Sequence, residues 1–170
     1  MSTLELKYLN IYSESTKCQV RQLLDKNRLA EVLLQKYPAS HSITTDKSLY
    51  AYVVELKNTH MRNSMQLNKA LFDNKIQVIK HALGLHTAIS RVQGAKLKAK
   101  REIRIASLFK NTPIEFLKMI TLHELAHFKE HEHNKSFYQL CISMEPDYHQ
   151  LEFDLRLYLT HLDFFKKPLW

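Results

Sequence analysis

The chain has 170 residues, 45% of them apolar, with only 2 Gly and 4 Pro, which excludes disordered and low-complexity classes and points to one helix-rich domain. Its formal charge of +8 permits attraction to acidic partners, while no apolar run is long enough to span a bilayer, so no membrane role is expected. Two cysteines, Cys18 and Cys141, are too few for a disulfide framework and read as free, buried thiols; residues 1–7 lack the apolar core of a secretory signal, so a soluble cytoplasmic protein is expected.

Residues 15–36 predict the first helix, with Val20, Leu23, Leu24, Val32 and Leu33 on one side and Pro38 beyond its end. Residues 38–45 read as a loop. Asp46 is a candidate cap for a second helix to about Arg62, through Leu49, Val53 and Leu56. A third helix is expected from about Gln66 to Leu83, with Gly84 as its stop. His41, His60, His81 and His86 read as packing or surface residues.

After this helical part, residues 1–84, the period changes. Residues 85–92 and 101–109 are the strand candidates, with Ile103, Ile105 and Ser107 alternating against Arg104 and Ala106. Between them lies a basic segment, residues 91–104, holding Arg91, Lys96, Lys98, Lys100, Arg101 and Arg104. It reads as a solvated hairpin tip, with nucleic acid as the competing partner; no aromatic interleaves with the charges, which weakens a stacking site.

Thr112-Pro113-Ile114-Glu115 announces the next helix: Thr112 as N-cap, Pro113 at the first position, Glu115 closing a capping box. Ile114, Leu117, Ile120, Thr121, Leu125 and Phe128 are spaced to bury one stripe of it. Within it stands His123-Glu124-Leu125-Ala126-His127, followed by His133. Histidines four apart project from one helix face, so both imidazoles can reach one metal. Glu124 sits beside the first, where a carboxylate can take a proton from the attacking water. A third ligand leaves one tetrahedral position open, the mark of a catalytic zinc site. His133 can serve only if the helix ends between it and His127, because a straight helix would turn it away. The polar stretch 129–134 allows that break, and Asn134 can take a left-handed conformation or cap the next helix. His131 and a downstream Glu are competing ligands.

Beyond it, residues 136–144 predict a short helix stopped by Pro146, and Asp147 caps a last helix from Tyr148 to about Phe165. Its Leu151, Leu155, Tyr158, Leu159 and Leu162 are core-facing. Any one of His149, Arg156 and His161 on this helix can point at the metal pocket, and Glu152 or Asp154 can steady a ligand imidazole from behind; the sequence does not choose between them. Tyr138, Tyr148, His131 and His149 have the chemistry of a second oxyanion donor.

With its histidines and the Ser136-Phe137-Tyr138 beyond them, the chain resembles the YgjP-like group of zinc metallopeptidases, related in style to SprT-like and wider zincin enzymes. The likeness also covers Ser90-Arg91-Val92-Gln93-Gly94 and runs through Ile103 and Ile105 to Ile120. It implies a zincin-like α+β fold, helix-rich with a small sheet packed on the metal helix, so that residues 85–170 form the metallohydrolase core. It further implies Zn2+ on His123, His127 and His133, with Glu124 as base. Metzincins share the histidine spacing but have Gly where this chain has Glu130. The expected activity is zinc-dependent hydrolysis of peptide bonds, on a peptide or an unfolded protein. A non-peptidase zinc hydrolase cutting a nucleotide phosphoanhydride is the alternative, and a metal-stabilised nucleic-acid-binding module the third.

Overall fold

The computed structural model describes residues 5–64, 66–76 and 101–170. Six helices and two strands are described: α1 Glu14–Asp25, α2 Leu29–Lys36, α3 Asp46–His60, β1 Lys69–Asp73, β2 Glu102–Ala106, α4 Ile114–Ala126, α5 Lys135–Met144 and α6 Tyr148–Phe165. The fold is α+β and helix-rich, with a small parallel sheet. Among the described residues no helix is long and apolar enough to cross a membrane.

The first expected helix is two. Ser13 caps α1 by accepting the Thr16 N–H, and Asn27 at φ 53° breaks the run before α2. Asparagine tolerates the left-handed region better than most residues, which lets it turn the chain inside an otherwise helical pattern. At α3 the cap is Thr45, not Asp46: the hydroxyls and amides of Thr45 and Ser48 form a capping box. Asp46 instead accepts the backbone N–H of Phe72 at 2.9 Å, fastening α3 to β1.

The expected helix from Gln66 is overturned where it is described, because residues 69–73 form a strand. β1 pairs in parallel with β2, in register from Lys69 opposite Glu102 to Asp73 opposite Ala106. Ala70 and Phe72 are buried on β1, Ile103 and Ile105 on β2. A three-residue apolar run, Ala70 to Phe72, fits a helix or a strand equally well, and pairing decides it. The expected strand at 85–92 and residues 77–83 of that helix lie outside the described residues. The strand expected over 101–109 is shorter, since Ser107–Asn111 coil into a 3₁₀ turn.

α3 packs on β1, and α4 packs on β2 and against α5 and α6. α4 is buried nearly all round, from Phe116 through Ala126, and so is a central helix rather than one with a single apolar stripe. Its start also differs from the expected capping box. Pro113 takes the N-cap position, and the Thr112 hydroxyl donates to the Phe109 carbonyl at 3.2 Å. Glu115 stays exposed. Both cysteines are free, as expected, but Cys18 is exposed and only Cys141 is buried.

Candidate metal centre

α4 stops where the chemistry needs it to. His127 is its C-cap, and the next three amides fold back onto Leu125 and Ala126, turning the chain out of the helix. Asn134 then caps α5, its side chain accepting the Phe137 N–H at 2.9 Å. The loop between carries His133 back beside the two helix histidines. The Nε2 atoms of His123, His127 and His133 lie 3.2, 3.1 and 3.0 Å apart pairwise. His131 is exposed and takes no part.

Phe137 forms the floor. It is fully buried, with its ring 4.9, 4.5 and 4.8 Å from those of His123, His127 and His133. Asn134 therefore acts on the cluster at one remove: it starts the helix that sets Phe137 in place.

Two contacts orient the imidazoles. His127 Nδ1 lies 3.0 Å from the Glu130 carbonyl, which can only accept, so Nδ1 carries the proton and Nε2 presents a lone pair. His123 Nδ1 lies 2.7 Å from the Tyr148 hydroxyl. Burial, and then the positive potential of His127 and His133, hold the His123 imidazole well below its usual range, keeping it neutral. Three imidazole nitrogens this close repel one another unless a cation lies among them. A tetrahedral zinc with bonds of about 2.0–2.1 Å spaces its nitrogens roughly 3.3–3.4 Å apart, close to what is seen, so the donor set fits a metal ion.

Glu124 comes directly after His123 on α4. Part of its surface is exposed, yet protein surrounds it densely enough to push the carboxyl up to about 8. A cation in the histidine cluster acts the other way, toward the ionised form, which leaves the group near the range useful for moving protons at neutral pH.

The residues expected to support the imidazoles do other work. Asp154 accepts from Lys36, Tyr37 and Gln150, and Glu152 pairs with Arg156 at 3.0 Å. Arg156 also donates to the Tyr8 carbonyl, and His161 meets the Lys167 carbonyl. These groups anchor the N-terminal part and the C-terminus to α6. Tyr148, weighed in the sequence as an oxyanion donor, instead backs His123. Nothing in the spacing of Tyr148 or Glu130 marks those roles, whereas Phe137 stands in the aromatic pair that carries the family resemblance. In the basic segment, Arg104 is engaged by Asp73 and Glu102, and Arg101 lies over the Phe128 ring at 5.4 Å. Its other basic residues lie outside the described ones.

A family model for the YgjP-like metallopeptidase domain matches residues 31–158. The chain is 59% identical over 157 residues, 92% of its length and 94% of the relative's, to a protein of Escherichia coli strain K12 described as a UTP pyrophosphatase. No solved structure matches. Both descriptions are of hydrolases, and with the histidine cluster they support a metal-dependent hydrolase.

Proposed function

The chain belongs to the YgjP-like metallopeptidase-domain family, and from that premise we propose that it is a zinc-dependent pyrophosphatase acting on UTP. The observation that carries this is the 59% identity to a UTP pyrophosphatase across nearly the whole of both chains. The peptide bond expected first from the motif gives way to the nucleotide phosphoanhydride kept as the alternative. A charge of +8 also suits a polyanionic substrate better than an arbitrary peptide.

His123, His127 and His133 are the residues that hold the metal. Three neutral nitrogens suit zinc and leave the ion's charge uncompensated. When bound, the ion supplies Lewis acidity and positive charge at the triphosphate. Glu124 takes a proton from the attacking water as the water's oxygen bonds to phosphorus. The bond to the bridging oxygen breaks, and pyrophosphate leaves as an anion needing little or no protonation. Phe137 keeps the floor dry and the three rings in register.

The family description itself favours a second reading, hydrolysis of peptides. Zinc-loaded protein incubated with UTP, and separately with an unfolded protein, decides between them. Pyrophosphate and UMP are expected from the first, with the rate reduced about 10²–10⁴-fold in Glu124→Gln while zinc is retained. Chelator-sensitive peptide fragments with no pyrophosphate would replace this reading with the second.

A further inference from the structure

Tyr148 is the first residue of α6, fully buried, and its hydroxyl stands 2.7 Å from His123 Nδ1, on the ring edge opposite the histidine cluster. The segment before it is tightly set. Glu145 accepts the Asp147 N–H at 3.3 Å through its side chain and the Tyr148 N–H at 3.0 Å through its carbonyl, while Lys118 of α4 holds the same carboxylate. The Tyr148 ring lies nearly parallel to that of His123, 14° between planes.

We infer that Tyr148 is the positioning residue of His123, accepting its Nδ1–H and so fixing the tautomer that turns the Nε2 lone pair toward His127 and His133. A hydroxyl has one proton and two lone pairs. With a lone pair turned to Nδ1, the Tyr148 hydroxyl accepts the imidazole N–H and leaves Nε2 unprotonated. Donation from the hydroxyl to Nδ1 would place the imidazole proton on Nε2, where it would block the cluster. The two helix histidines are thus oriented by different means. His127 takes an obligate backbone acceptor, and His123 a side-chain hydroxyl. A partner of this kind sharpens metal binding without touching the metal.

The inference rests on the reading of the three histidines as a metal site, and its test separates the two. Zinc affinity is measured by competition with a chromophoric chelator on wild type, Tyr148→Phe and, as control, Tyr158→Phe. The control removes another buried hydroxyl ten residues on, roughly 15 Å along α6. Zinc binding about 10–100-fold weaker in Tyr148→Phe, with Tyr158→Phe unchanged, is the expected result. Equal affinity in wild type and Tyr148→Phe would overturn the role of Tyr148 and leave the metal site standing. No zinc bound by wild type would overturn both. Nitrogen-15 spectra of the His123 ring in the wild-type protein decide the matter even if Tyr148→Phe fails to fold. A protonated Nδ1 is expected in the metal-free and zinc-loaded forms, and an Nε2–H tautomer in the metal-free protein would contradict the inference.

Discussion

Helix α6 carries buried polar side chains at two places that behave differently. In its middle, Asp154 accepts from Lys36, Tyr37 and Gln150, and Glu152 faces Arg156. Opposite charges and matched donors meet there, so the group is stable as it stands and ties α2 to the last helix. At the start of the helix, Tyr148 backs a cluster in which three like nitrogens face one another at 3.0–3.2 Å. That arrangement is unfavourable until a cation joins it. Buried ionisable groups occur at both places, and the match of donors to acceptors separates the anchor from the site.

Variants at the two places should give crossed results. The largest stability effect is expected from Phe137→Ala, which empties the floor beneath the imidazoles. Loss of a fully buried phenylalanine costs about 3–5 kcal/mol, and zinc affinity should fall with it, read by thermal unfolding and chelator competition. Asp154→Ala strands the Tyr37 hydroxyl and should cost about 1–3 kcal/mol. Its zinc affinity should equal that of wild type; a parallel loss would mean the two places are one coupled unit. The smallest effect is expected at the break between α1 and α2. Asn27→Val forces a β-branched residue to φ 53°, at a cost of about 1–2 kcal/mol, whereas Asn27→Gly should be near neutral; both are read by denaturant titration with zinc affinity unchanged.

The site was more legible in the sequence than the fold around it. Histidines four apart on a helix state their own geometry, and the demand that α4 end before His133 comes from helical rotation alone. The Asn134 cap was visible as one of two options, and α5 and α6 obey their apolar spacing. Where several local patterns compete, pairing and packing decide instead. Residues 69–73 have spacing that serves a helix or a strand, and only β2 selects the strand. Asn27 has no glycine or proline beside it to announce a break. Thr112 looks like an N-cap, yet its hydroxyl goes to Phe109 and the role passes to Pro113. Partners such as Tyr148 lie 25 residues from His123, and no periodicity links positions on different helices.

The most direct test of the central claim is the zinc content of the purified, reconstituted protein, compared between wild type and His133→Ala. About one zinc per chain in wild type, lost or strongly weakened in the variant, is what a three-histidine site requires. Zinc held equally well without His133 would show that the converging imidazoles are not the ligand set, and the account of the site would be contradicted.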